Sequence, residues 1–315
     1  MIDQSLLDRV QKQAWIHKYP RGWPLLLFLI ASMTTALSVL AIERADLQTR
    51  RVELDRNLTE TAGALQRRIT ENIALLRAGA ALFATQETVS AAQFEEFARD
   101  LQGDGDLYGS LGMGWTPLLP AGELPAFEET IRAEGRPDFI AFPRPEAAAR
   151  YSAPIVYLQP ETPENRSAIG YDMFSEPVRR AAMEKAIRLD RPTASSKVHL
   201  IQDQGEDGPE TAGFLIYMPV VTQSGGQRRV KGFVYSPFRA ASFLRSAGEL
   251  YRNDRIEVAI YDERVAPGRL LAERRADGQD SSAMGRGIDV GDQSWIVRGR
   301  DRGGGMLTPP APITL

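Results

Sequence analysis

The stretch GFLIYMPVVTQSGGQRRVKGFVYSPF, residues 213–238, holds two apolar runs rich in aromatic and β-branched residues around a turn-forming centre, TQSGGQRR. Two such runs so close in sequence read as the arms of a β-hairpin. Their composition and spacing favour an antiparallel sheet with helices to one side over a parallel arrangement of βαβ units.

Working outward, the flanking segments supply the rest of an α+β fold. Residues 194–201 read as a strand, as does LGMGW, residues 111–115, whose two glycines permit close backbone approach. Ser90-Ala91-Ala92-Gln93 has the form of a capping box, and Phe94, Phe97 and Leu101 then line one helix face. A further helix is predicted on Leu124, Phe127 and Ile131, followed by extended segments at 138–142 and 154–158. Beyond the hairpin, a helix on Ala240, Phe243, Leu244 and Ala247 and strands at 256–261, 269–272 and 294–298 predict a second, smaller unit.

PLLLFLIASMTTALSVLAI, residues 24–42, carries no charge and is flanked by Trp15, Tyr19 and Trp23 on one side and by Glu43 and Arg44 on the other. That length and those flanks predict a membrane span. A cleaved signal peptide is the alternative, with Val39 and Ala41 at the small-residue positions, but the leader is long and the run exceeds a usual signal core. Leu47, Leu54, Leu58, Leu65, Ile69, Leu76, Ala80 and Phe83 then follow at heptad-like steps, and no proline interrupts residues 41–85. One continuous helix is predicted, whose seam either pairs with its copy in a parallel homodimer or packs against the same chain. Arg9, Lys12, Lys18 and Arg21 before the span balance Arg44, Arg50, Arg51 and Arg56 after it, so charge gives only a mild preference for a cytoplasmic leader.

The 315 residues carry a net charge of -3 with the basic residues dispersed, which leaves no nucleic-acid footprint. With no cysteine and only two histidines, His17 and His199, the chain has no disulfide framework, cysteine nucleophile, thiolate metal site or multi-histidine metal site. No G-x-S-x-G elbow occurs, because Ser110 follows Tyr108-Gly109. A carboxylate pair for glycoside hydrolysis stays open among the many Asp and Glu residues. No catalytic residue, metal or cofactor is expected.

In AIGYDMFSEPVRRAAMEKA, residues 168–186, a strand-like end runs into an amphipathic helix. Ser175 has the position of the helix cap, with Glu176 and Pro177 in the first turn, which leaves Asp172 spare. A carboxylate beside Tyr171, Met173 and Phe174 suits the NH donors of a ligand in an apolar pocket. The structural alternative is an aspartate that bonds turn amides or pairs with Arg179 or Arg180. Phe214, Tyr217 and Met218 offer pocket-lining side chains from the hairpin, although strand aromatics are also ordinary core, and Gly232 offers close backbone approach or a bulge.

VSAAQFEEFARDL (89–101), GMGWTP (112–117), YSAPIVYLQPETPENRSAIGYDMFSEPVRRAAMEKA (151–186) and GFLIYMPVV with KGFVYSPFRA (213–221 and 231–240) together resemble a CHASE domain. That module is the extracytosolic sensor of receptor histidine kinases, plant cytokinin receptors among them, and of some diguanylate and adenylate cyclases. The resemblance implies a cytoplasmic leader at 1–23, a transmembrane helix at 24–42 and a stalk and dimerisation helix at 43–84. It further implies a membrane-distal PAS-like ligand-binding subdomain at 85–238 and a membrane-proximal PAS-like subdomain at 239–300. A flexible end at 301–315 would lead toward a second span. Residue 43 onward is then extracytosolic, periplasmic in a Gram-negative cell, on a single-pass protein of the inner (plasma) membrane.

By the same resemblance, Asp172 matches the aspartate that binds the adenine ring in cytokinin receptors. Thr193, Ala194 and Ser195 match the segment that faces the ligand, so a small, purine-like molecule is implied. The sequence departs from the family in showing no phosphoacceptor histidine, ATP-binding glycine motif or GGDEF-like segment. The expected function is a membrane-anchored small-ligand sensor in signal transduction, feeding a histidine kinase of a two-component system or a cyclase that lies outside this sequence. The alternatives are a ligand-free dimeric membrane scaffold and an anchored extracytosolic hydrolase.

Overall fold

The computed structural model describes residues 22–102, 109–203, 211–224, 226–247, 256–275 and 283–301. Its helices are α1 (Gly22–Thr85), α2 (Ala91–Gln102), α3 (Leu124–Ala133), α4 (Pro163–Ser167), α5 (Pro177–Leu189) and α6 (Ala240–Arg245). The strands of the first part are β1 (Met113–Pro117), β2 (Leu119–Pro120), β3 (Tyr151–Ser152), β4 (Tyr157–Gln159), β5 (Thr193–Ala194), β6 (Val198–His199), β7 (Ala212–Ser224) and β8 (Gln227–Arg239). Those of the second are β9 (Ile256–Tyr261), β10 (Leu270–Arg274), β11 (Ala283–Val290) and β12 (Gln293–Asp301).

Among the described residues α1 is the one helix long and apolar enough to cross a membrane. Its first part, residues 22–53, is a unit apart from the body that begins at Leu54, and its apolar side chains, Phe28, Met33, Leu37 and Leu47 among them, are exposed. From Leu54 the heptad seam turns inward. Leu58, Leu65, Ile69 and Leu76 have no exposed surface and join a core shared with strands of both sheets. Leu54 and Leu58 lie against Gly299 of β12, and Gly79 lies against Val234 of β8 and Met113 of β1. Side chains buried this fully contribute roughly 1.5–3 kcal/mol each, and all of it is obtained within one chain. These positions are therefore closed to a partner helix.

The long hairpin is formed by β7 and β8, which pair from Gly213↔Arg239 to Ser224↔Gln227. They are central in a six-stranded antiparallel sheet of order β4-β1-β8-β7-β5, with β6 also on β7. Phe214, Ile216 and Val220 of β7 and Val234 and Phe238 of β8 face α1, whereas Leu215, Tyr217, Phe233 and Tyr235 belong to a separate core with Met173, Phe174 and α5. Helices thus cover both faces of this sheet rather than one side. The cause is visible in GFLIYMPVV, an unbroken apolar run that leaves neither face fit for water.

The predicted capping box forms. The Gln93 amide donates to Ser90 Oγ at 3.3 Å, and the Ser90 amide to Gln93 Oε1 at 2.9 Å. The extended segment predicted at 138–142 forms no strand, and 194–201 breaks into the short β5 and β6. The second sheet has the order β10-β9-β12-β11. Its β11 is an unanticipated strand, AMGRGIDV, whose glycines and charges leave only Ile288 and Val290 buried and so hide the apolar signal.

A register shift between Val220 and Val221 leaves Lys231 without a partner on β7. A Cβ on the neighbouring Gly232 would come within 2.2 Å of the Thr116 carbonyl oxygen, so both sequence readings of Gly232, bulge and close approach, hold at once. Lys231 Nζ donates to the carbonyls of Phe83 (3.1 Å), Gln86 (2.7 Å) and Glu87 (2.7 Å), closing the C-terminal end of α1. Burial pulls the pKa of this ammonium below its usual value, an effect opposed by Glu87. Replacing it, Lys231→Met, is expected to lower the stability of the full chain by about 1–2 kcal/mol. Amide exchange at residues 82–87 should accelerate more than in β12, which a hydrogen-exchange measurement resolves.

Candidate functional site

One transverse row crosses the α5-covered face of the six-stranded sheet. Leu158 stands opposite Gly114, Gly114 opposite Tyr235, Tyr235 opposite Tyr217, and Tyr217 opposite Thr193. Directly opposed residues share a face, so this register gathers side chains far apart in sequence. Gly114 is required here, because a Cβ would lie 2.4 Å from the Tyr235 ring. The two phenols are buried side by side, with ring centroids 6.2 Å apart. Tyr217 donates to Met173 Sδ at 3.5 Å, while the Tyr235 hydroxyl has no hydrogen-bond partner among the described residues.

Asp172 stands on the segment that covers this face, and it is 1% exposed. Its Oδ1 accepts from the amides of Ala153 (2.7 Å) and Phe174 (3.0 Å), and its Oδ2 accepts from Ser152 Oγ (2.9 Å). The helix cap assigned to Ser175 belongs instead to Glu176, whose carboxylate accepts from the amides of Val178 (3.0 Å) and Arg179 (2.8 Å). Asp172 is consequently not spare. It caps the 3₁₀ turn Met173–Ser175 and ties it to β3, with no ion pair to Arg179 or Arg180 among the described contacts. A carboxylate accepts about four hydrogen bonds, which leaves roughly one acceptor position, on Oδ2.

Arg179, at the start of α5, is 2% exposed. Its Nη2 donates to the His199 carbonyl at 2.7 Å, and its guanidinium carbon sits 4.9 Å from the Tyr171 ring centroid. Its Nε has no hydrogen-bond partner, and the nearest paired carboxylate, Glu176, is 3.9 Å away. Burial pushes the Tyr217 phenol well above its usual pKa, as it does Tyr235, and the Arg179 charge pulls both back. A buried cation with so few partners is costly to hold.

Of the residues chosen from sequence, Met173, Phe174 and Tyr217 share this core, and Tyr171 packs at its edge. Thr193 lies opposite Tyr217, and the Ser195 hydroxyl is engaged with the Leu215 amide (3.0 Å) and the Ser196 carbonyl (2.8 Å). Ala194, Phe214 and Met218 belong to the α1 side, and Gly232 lies against β1. One pocket cannot take all of them, because Phe214 and Met218 stand at odd spacings from Tyr217 and a strand sends such neighbours to opposite faces. Phe214 instead stacks on Phe238 with centroids 4.7 Å apart and meets Trp295 edge-on.

Sequence reasoning gave Gly114 close backbone approach without a partner, did not single out Ser152 or Tyr235, and weighed Arg179 only as an Asp172 partner. The alternation Phe233, Tyr235 against Leu215, Tyr217 is the signal that finds Tyr235. A cavity of about 550 Å³ lies elsewhere, at the end of α1 between Phe83, Trp115, Tyr157 and Lys231, and none of the chosen residues lines it. Another, of about 440 Å³, lies between α5, Ala194, Arg269 and Gln293.

The family model for the CHASE domain matches residues 87–272. No curated protein matches the chain. Among solved structures, the periplasmic sensory domain of the Campylobacter jejuni chemoreceptor Tlp1 is similar at a TM-score of 0.51 and 13% identity, over 82% of this chain and 95% of that one. An extracellular ligand binding receptor from Desulfohalobium retbaense DSM5692 is similar at a TM-score of 0.49 and 12% identity, over 79% of this chain and 40% of that one. This chain thus spans less than half of that receptor's length. At 13% identity the likeness to the Tlp1 domain is one of fold.

Removing Asp172 strands three donors inside the protein. Asp172→Ala is expected to lower the stability of the full chain by about 3 kcal/mol, read as a fall in Tm, where a spare carboxylate would leave it unchanged. The phenols give a pH dependence of definite sign. Their folded-state pKa values lie above the ordinary 10.0, so this contribution to stability is complete below pH 10.0 and is lost as pH rises beyond it. The loss approaches about 1.4 kcal/mol per pH unit for each tyrosine, and Tyr235→Phe should reduce the slope in alkaline denaturation.

Proposed function

We propose, from the premise that this chain belongs to the CHASE domain family, that it is the membrane-anchored sensory part of a receptor whose small-molecule ligand lies on the α5-covered sheet face. The family and the sensory fold support an extracytosolic ligand sensor. The observation that carries the finer reading is the row from Gly114 to Thr193, buried under Met173, Phe174 and α5 within the matched region. Tyr171, Met173, Phe174, Thr193 and Tyr217 form the ligand's surroundings, and Asp172 acts on it through its remaining acceptor position and by holding the covering turn.

The receptor is anchored in the inner membrane by the first part of α1. Its homodimer forms along the exposed length that includes Leu47, since the buried seam from Leu54 is occupied by its own sheets. Its output, a histidine kinase or a nucleotide cyclase, lies in the cytoplasm. A ligand shifts such a receptor only through unequal affinity for two arrangements. The row has a route to the second sheet. Gln293 Nε2 donates to the Ala194 carbonyl at 2.9 Å, and Gly291, between β11 and β12, lies against Thr193. One observation favours a ligand-free scaffold instead, namely that Asp172 is already engaged by Ser152 Oγ and the amides of Ala153 and Phe174.

The absence of cysteine makes a labelling test clean. Glu129, exposed on α3, is replaced by cysteine in the full chain and treated in intact cells with a membrane-impermeant maleimide. Labelling before lysis is expected. Labelling only after lysis places α3 in the cytoplasm and removes the extracytosolic reading.

A further inference from the structure

Resting on the proposed sensor site, we infer that its ligand carries a carboxylate, received by Arg179 and the Tyr235 hydroxyl. The resemblance implies a purine; the polar groups left unpaired on this face call for an anion. Arg179 Nε and the Tyr235 hydroxyl are both buried donors without a hydrogen-bond partner. Buried polar groups are nearly always satisfied, and two unsatisfied donors on one face are the complement of an acceptor.

The charge points the same way. Arg179 is held under the sheet by one carbonyl, one ring face and a long ion pair of 3.9 Å with Glu176, whose two oxygens accept from the amides of α5. Asp172 does not serve as counterion, because its described donors are Ser152 and two backbone amides. The guanidinium edge is therefore available to a planar anion, which it meets with paired N–H groups. The Arg179 guanidinium acts on both phenols and the Glu176 carboxylate acts against it on Tyr217, so a single negative charge matches the site better than a dianionic phosphate. Both phenols remain neutral donors at physiological pH, and Gly114 opens the space into which the Tyr235 ring leans.

The test uses the full chain in detergent and matched acid and amide pairs, propionate with propionamide, alanine with alaninamide and benzoate with benzamide, with adenine as a neutral heterocycle. Thermal shift and calorimetric titration are read for wild type, Tyr235→Phe and Arg179→Met. The acid of at least one pair is expected to raise Tm where its amide does not, and both variants should weaken that acid about tenfold or more. Tyr235→Phe is the decisive variant. It deletes a hydroxyl that bonds nothing, so the ligand-free Tm should hold or rise while the acid response falls. Responses to amides or adenine equal to those of the acids overturn the carboxylate and leave the sensor site standing. An acid response untouched by Tyr235→Phe also overturns the assignment. Silence from all compounds overturns the carboxylate and weighs for the ligand-free scaffold.

Discussion

A β-hairpin that is apolar on both faces cannot stand at a protein surface, and β7 and β8 are such a hairpin. One face takes the seam of α1 from Leu54 to Phe83, and the other takes α5 with the segment running through Asp172. Each cover then dictates a further feature. The seam, engaged along its length, also reaches the second sheet through Leu54 and Leu58 on Gly299 and through Gln66, which brackets Asp289 with two hydrogen bonds. The covering segment must turn twice in a dry interior, and Asp172 and Glu176 meet the amides that those turns expose.

The electrostatics on the α5 side follow from the same enclosure. Three groups that prefer water, two phenols and a guanidinium, are held where water is scarce, and the carboxylates beside them, Asp172 and Glu176, accept mainly from backbone amides and the Ser152 hydroxyl. Stability alone does not select such an arrangement, because apolar residues of similar volume would serve the core better.

The architecture was largely legible because it depends on patterns longer than any one contact. The apolar run of 24–42, the seam of α1, the capping box at Ser90 and the hairpin each announce themselves by composition or period. The site was legible only in part. Asp172, Tyr171, Met173 and Phe174 were singled out because they crowd one short segment, and of the two readings of Asp172 the bonding to turn amides is the one its described contacts display. Its donors Ser152 and Ala153 come from β3 and the residue after it, and no local rule brings β3 to that turn. Phe214 and Met218 were grouped with Tyr217 by proximity in sequence, where the strand period of two separates them. Tyr235, and the pairing of Gly114 with it, were missed for the converse reason, since only the register of β1, β8 and β7 makes them neighbours.

Lys231 has a mechanical meaning beyond its capping bonds. The last turns of a helix ordinarily unravel at little cost, so a displacement applied there dissipates in local disorder. Here an ammonium from the hairpin grips carbonyls on either side of the helix end, and the bulge at Val220 and Val221 fixes where that ammonium stands. The hairpin and the helix end are coupled as a tie rod is to a beam, which holds the last turn against fraying.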